Sequence, residues 1–238
     1  MGHEFEGVEE LRVDATPEQV WDAIATGPGI DSWFMGRNEV DPGNVVRTAF
    51  GGYTPEHTIS AWEPGKRLAY GSEGEDGRSI GYEFLIEGRG QGSTVLRVVA
   101  AGFLPGDDWA DEYDAMLKGN ALFFHTLATY LDHFAGRVAT PVTAFGPMIT
   151  DWSRTRAKLM TAIGRRGDEV RFTPAGLALV DGTVYFENED TIGIRTENAI
   201  YRFLRGFRGP VMACHHVFDS TDDTERAWVA WLNTEDLT

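Results

Sequence analysis

Between Tyr113 and Phe134 the apolar residues fall at three- and four-residue steps: Tyr113, Met116, Leu117, Phe124, Leu127, Leu131 and Phe134. That period predicts one helix over residues 108–135 with a single apolar face, which Trp109, Phe123 and Tyr130 widen. Asp107 or Asp108 suits the N-cap, and Asp111 and Glu112 suit the positive end of the helix dipole. Gly136 supplies the stop, with Arg137 at the negative end. At 1.5 Å per residue the helix is about 40 Å long. Gly119 and Asn120 weaken its middle and permit a bend. A stripe so long and so aromatic needs a sheet to lie across.

The preceding chain supplies strands. Residues 4–15 alternate, with Phe5, Gly7, Glu9, Leu11 and Val13 on one face. Thr16, Pro17 and Gln19 then open a helix with a capping box, whose apolar side is Val20, Trp21 and Ile24. Gly27-Pro28-Gly29 breaks it, and residues 30–35 predict a second short helix. Strands follow at 44–50, 57–62, 67–72, 79–87 and 94–104. Ile80, Tyr82, Phe84 and Ile86 share a face, and residues 88–92 form a hairpin turn. Strands followed by one long helix read as an α+β domain, with helices on one side of a curved antiparallel sheet.

Residues 137–147 carry Pro, Gly, Ala and Thr without helical period and read as a linker. Beyond them come a helix at 151–163, strands near 170–173, 177–186, 191–196, 200–204 and 211–218, and a closing helix at about 223–232. The expected organisation is therefore a domain at 1–136, a linker at 137–147, and a smaller α+β domain at 148–238.

Charge narrows the partners. Lys+Arg total 21 against Asp+Glu 37, a net charge of −16. Nucleic acid and anionic membranes require a basic face, so neither is an expected partner. Cys214 is the one cysteine, which fits a reducing compartment. The N-terminus shows no apolar signal segment and no run reaches membrane length, so a cytoplasmic location is expected.

Few residues point to chemistry. Glu9 falls on the apolar face of its strand, where it would be a carboxylate aimed inward; a bulge near Gly7 would instead turn it to solvent. Arg97 lies in line with Val95, Val99 and Phe103, yet the alternative face of Leu96, Val98 and Ala100 is equally apolar. His57 and His125 are isolated histidines, whose ordinary role is structural hydrogen bonding. Cys214-His215-His216 places Cys214 and His216 on one strand face and His215 on the other. Structural zinc takes four Cys or His ligands, so no metal is expected, and Cys214 reads as core-facing. Gly88 to Gly92 joins two strands rather than opening a helix, so it is a hairpin tip and not a phosphate cradle. Helix capping accounts for the acidic residues at 107–112. No Ser-His-Asp order or nucleophile elbow is present, and no cofactor is expected.

At residues 13–35, Ala15, Pro17, Glu18, Val20, Trp21, Trp33 and Phe34 resemble the opening of AHSA1-type members of the START-like (SRPBCC, Bet v 1-like) superfamily. The turn at 63–70, EPGKRLAY, is similar to that family's Pro-x-Arg-Leu turn, and the long helix stands where the family has one. The resemblance spans roughly residues 1–136 and implies a helix-grip fold with a cavity between helix and sheet that takes apolar small molecules. On it, Glu9, Trp33, Phe34, Tyr82, Phe84, Arg97, Tyr113 and Phe124 are the expected ligand-binding residues, subject to strand register. The expected function is binding of a small apolar ligand, regulatory or in transport. One alternative is a cyclase- or hydrolase-type enzyme using Glu9, Arg97 or His125 in the same cavity. Another is a chaperone-associated interaction protein, as the Hsp90 ATPase activators that give the family its name. The second domain is expected to cover, dimerise or regulate the first, so a homodimer is a candidate assembly.

Overall fold

The computed structural model of the chain describes residues 2–90, 92–106, 109–206, 209–218, 224–234 and 237, with Gly90 and Asp111 described by backbone alone. The chain divides into two compact units, Met1–Val138 and Ala139–Thr238, and both are α+β.

The first unit runs β1 (His3–Val13), α1 (Pro17–Ala25), α2 (Gly27–Ile30), β2 (Arg37–Asp41), β3 (Val45–Ala49), β4 (Glu56–Glu63), β5 (Arg67–Glu73), β6 (Ser79–Gly90), β7 (Ser93–Leu104) and α3 (Trp109–His133). Its seven strands form one antiparallel sheet in the order β1-β7-β6-β5-β4-β3-β2. The chain meanders from β2 to β7, and β1 pairs on the far edge of β7. The α1 capping box forms: Thr16 Oγ1 accepts from the Gln19 amide at 3.3 Å, and Gln19 Oε1 accepts from the Thr16 amide at 2.9 Å. Gly136, at φ +83°, ends the turn after α3, the left-handed conformation that glycine adopts without strain. The expected α3 caps Asp107 and Asp108 lie outside the described residues, as does the Asp111 side chain.

Two local expectations shift. The second short helix begins at Gly27, because Thr26 Oγ1 accepts from the Gly29 amide at 3.0 Å and Pro28 is at home in a first helical turn. Residues 31–35 are then a turn, pinned by Asp31 Oδ1, which accepts from the Asn38 amide at 2.6 Å and from Asn38 Nδ2 at 3.0 Å. The edge strand β2 has no counterpart in the apolar pattern, because its buried position is Asn38, satisfied by the Thr48 hydroxyl donating to Oδ1 at 2.7 Å.

The second unit runs β8 (Ala139–Met148), α4 (Trp152–Ala162), β9 (Glu169–Phe172), β10 (Val180–Glu187), β11 (Thr191–Arg195), β12 (Ala199–Arg205), β13 (Pro210–Phe218) and α5 (Glu225–Leu232). Its six strands are ordered β8-β13-β12-β11-β10-β9. The expected linker at 137–147 is therefore corrected: most of it is the edge strand β8, paired along β13 from Ala139↔Phe218 to Pro210↔Met148. An edge strand tolerates Pro141 and Pro147 because its outer side owes no ladder hydrogen bond. The closing helix begins at Glu225; the start expected at Asp223 lies outside the described residues. Leu159 and Ile163 with Trp228, Trp231 and Leu232 pack on Ile192, Ile194, Phe203, Val211 and Ala213, making a core of this unit's own. No helix among the described residues is long and apolar enough to cross a membrane.

Candidate functional site

Register decides which side chains of the first sheet face α3. Tyr82 stands opposite Tyr70 on β5 and Ala100 on β7, and Phe84 stands opposite Leu68 and Val98. Residues opposite one another in an antiparallel pair share a face, so Tyr70, Tyr82, Phe84, Val98 and Ala100 form one surface. On β1 the same face carries Phe5, whose ring lies 5.8 Å from that of Tyr113 on α3.

Burial along this interface is graded. In the C-terminal half of α3, Leu122, Phe124, Leu127, Tyr130 and Leu131 are buried, as is Phe134 just after it. In its N-terminal half, Tyr113, Met116 and Asn120 are only half-buried and Leu117 is exposed. The sheet shows the matching gradient: Leu68, Phe84, Leu96 and Val98 are buried, whereas Tyr70, Ser72, Ile80 and Tyr82 keep accessible surface. Helix α3 packs closely on β1, β7 and α1. Apolar groups on two facing elements therefore remain accessible where a closed core would have hidden them.

Specific contacts tie these side chains together. The Phe34 ring lies 5.4 Å from Trp33 and 4.5 Å from Phe123 of α3. Trp33 is buried, and its indole N–H donates to the Ala23 carbonyl at 2.9 Å, so it anchors the turn after α2. Tyr70 lies 5.9 Å from Phe84, 6.0 Å from Tyr82 and 5.8 Å from His57. The Tyr82 hydroxyl donates to Asn120 Oδ1 at 3.3 Å, linking sheet to helix. Burial pushes the Tyr82 phenol up to about 12 and the Tyr70 phenol higher still. Both stay neutral at ordinary pH. Burial also lowers the His57 pKa, so its imidazole is neutral at pH 7.

The expected site residues divide accordingly. Tyr82, Phe84 and Tyr113 lie on the facing surfaces, Phe34 packs on Phe123 from the turn after α2, Phe124 belongs to the buried stripe of α3, and Trp33 is buried in the same turn. Arg97 is a correction: it is exposed, opposite Glu10 and Leu85, on the face away from α3. Leu96 and Val98 take the inward positions because a guanidinium there would lose its hydration without a partner. For Glu9, β1 pairs with β7 without a register shift, so no bulge forms. Glu9 keeps the face of Phe5 and Val13 but is exposed, because β1 is the sheet edge. His125 is exposed on α3. Glu9, Arg97 and His125 thus form no shared catalytic group. Tyr70, His57 and Asn120 were not among the expected site residues; the alternation of β4 and β5 was the available signal for the first two.

Among the described residues no group of three or more His, Cys, Asp or Glu could hold a metal ion. Cys214 and His216 share one face of β13 and His215 the other, and all three are buried. His215, not Cys214, points to the helix-covered core, with Trp228 at 4.3 Å, Tyr201 at 4.9 Å and Phe203 at 5.1 Å. Its Nδ1 accepts the Arg202 amide at 3.2 Å, so Nε2 carries the proton and is buried without a hydrogen-bond partner. The Arg202 Nε donates to the Cys214 carbonyl at 3.0 Å. A concave surface of this unit includes Arg165, Arg166, Arg171 and Asp181, but Glu187 engages Arg165 at 2.8 Å and Asp181 engages Arg171.

Comparison with known proteins gives one family match. The family model described as activator of Hsp90 ATPase homolog 1-like protein matches residues 14–132. No curated protein matches the chain. Among solved structures, a protein of Mesorhizobium loti is similar at 25% identity and TM-score 0.47, covering 55% of this chain and 98% of its own. The Aha1 dimer from Colwellia psychrerythraea is similar at 19% identity and TM-score 0.43, covering 54% of this chain and 96% of its own. DynU16, a putative protein in the dynemicin biosynthetic locus, is similar at 20% identity and TM-score 0.46, covering 95% of this chain and 96% of its own.

Proposed function

The chain belongs to the family of activator of Hsp90 ATPase homolog 1-like proteins, and on that premise we propose that its first unit binds a small apolar molecule in a recess between α3 and the seven-stranded sheet. The carrying observation is that Tyr70 and Tyr82 on the sheet and Tyr113 and Phe123 on α3 are all only half-buried, on two elements that the Tyr82–Asn120 hydrogen bond joins. Releasing water from such rings is favourable by about 25 cal/mol per Å² of apolar area buried. The closed C-terminal half of α3 holds the helix in place, so its N-terminal half can stay open without loss of the fold. Membership of this family fits ligand binding and also an activator role. The recess favours the first. The Tyr82–Asn120 hydrogen bond across the interface, with the His57 imidazole beside Tyr70, supports a cyclase- or hydrolase-type enzyme as the second reading.

N-Phenyl-1-naphthylamine, a neutral dye that brightens in apolar surroundings, is the test. Saturable binding is expected, with little dependence on salt and a negative heat-capacity change. Phe123→Ala should weaken binding with a small effect on stability. Phe124→Ala should cost roughly 3 kcal/mol of stability, because that ring is buried core. Affinity that collapses with salt would point to a charged ligand instead.

The two units are proposed to fold separately, since each has its own sheet and core. A fragment ending at Val138 should unfold cooperatively in urea with the dye site intact. A fragment that is unfolded in buffer would mean that the units share their stability.

A further inference from the structure

Within the recess, and resting on the binding function proposed for it, the polar groups are arranged as a stripe. His57 on β4, Tyr70 on β5 and Tyr82 on β6 occupy adjacent strands of one face, with ring centroids 5.8 Å and 6.0 Å apart, and Tyr82 reaches Asn120 on α3. Four polar-tipped side chains thus cross an otherwise aromatic and aliphatic surface from sheet to helix.

Their hydrogen bonds are incomplete. His57 Nδ1 is buried and has no partner. The Tyr70 hydroxyl is not among the buried atoms without a partner, and the half-buried residue leaves it open to an incoming acceptor. Tyr82 spends its proton on Asn120 Oδ1, which leaves the Asn120 amide N–H groups as donors. A buried polar atom without a partner has lost its hydration and gained nothing in return, so its presence calls for something that completes it. The donors here are Tyr70 O–H and Asn120 N–H, together with His57 N–H in one tautomer. All are neutral, because burial disfavours both the phenolates and the imidazolium. Arg97, the cation expected to face inward, lies on the opposite face of the sheet. An anion entering the stripe would lose its hydration without a countercharge, whereas a carbonyl oxygen would exchange water for matched donors.

We propose that the stripe of His57, Tyr70, Tyr82 and Asn120 selects an apolar molecule bearing a neutral carbonyl oxygen, which accepts hydrogen bonds from Tyr70 and Asn120.

Three probes of one shape test this, each displacing N-phenyl-1-naphthylamine from the full chain: 2-acetylnaphthalene (a ketone), 2-isopropylnaphthalene (its hydrocarbon counterpart) and 2-naphthoate (an anion). The ketone should bind about tenfold more tightly than the hydrocarbon after correction for their partition into octanol, the worth of one or two hydrogen bonds, and the anion most weakly. Tyr70→Phe and Asn120→Leu should each reduce the ratio of ketone to hydrocarbon affinity, with both probes measured on the same variant. Equal binding of ketone and hydrocarbon would overturn the selectivity and leave apolar binding standing. Tightest binding by the naphthoate would overturn it in favour of a charged site. Failure of the dye and all three probes to bind would overturn the recess itself along with its selectivity.

Discussion

Trp228→Ala will unfold the second unit locally or lower its stability by about 3–5 kcal/mol, the range for removing a large aromatic side chain from a packed core. Trp228 is buried on α5 and meets Phe203 at 5.7 Å, Tyr201 at 5.7 Å, Trp231 at 5.6 Å and the His215 ring at 4.3 Å. Alanine would remove contacts to all four and expose His215 Nε2 to an empty space too apolar to hold water well. Hydrogen exchange read residue by residue locates the effect. Amides of β12 and β13 should lose protection, and those of β6 and β7 should keep theirs. Equal loss in both units would contradict the separation of their cores.

Acid will act on the same cluster. Burial, reinforced by the Arg202 guanidinium, pushes the His215 pKa down to about 3 from its ordinary 6.5. Between those values the unfolded chain binds a proton that the folded chain refuses. Stability contributed by the neutral imidazole is therefore fully present above the unfolded value and falls as pH drops below it, by at most about 1.4 kcal/mol per pH unit. Chemical denaturation of the second unit from roughly pH 7 to pH 5 reads this slope before most carboxylates titrate. His215→Asn keeps an acceptor for the Arg202 amide and cannot titrate. Its stability, lower at neutral pH because the aromatic box is underfilled, should be flatter with pH than that of the wild type. Parallel slopes for the two proteins would mean that another group carries the acid sensitivity.

How far the sequence disclosed all this depends on which residues point inward. Helix α3 was legible because Phe124, Leu127, Leu131 and Phe134 are both periodic and buried, so pattern and packing agree. Strand β6 was legible for the same reason, with Tyr82 and Phe84 alternating against polar neighbours. Strand β2 was hidden because its buried side chain is Asn38, which pattern reads as surface and only Thr48, ten residues on, explains. Strand β8 was hidden by Pro141 and Pro147, which exclude a central strand but not an edge one. On β7 both faces are apolar, so the side taken by Arg97 needed the pairing with β1 and β6 to decide it. His57 and Tyr70 looked unremarkable singly. Their significance comes from lying side by side across two strands, which no linear pattern displays.

The location of a bound apolar molecule tests the central claim most directly. Isotope-filtered nuclear Overhauser spectra of the chain saturated with N-phenyl-1-naphthylamine should show cross-peaks from the dye to the ring protons of Phe34, Phe123, Tyr70 and Tyr82. Cross-peaks confined to the outer face of the sheet around Val99, or to the second unit around Arg166, would contradict a ligand recess between α3 and the sheet.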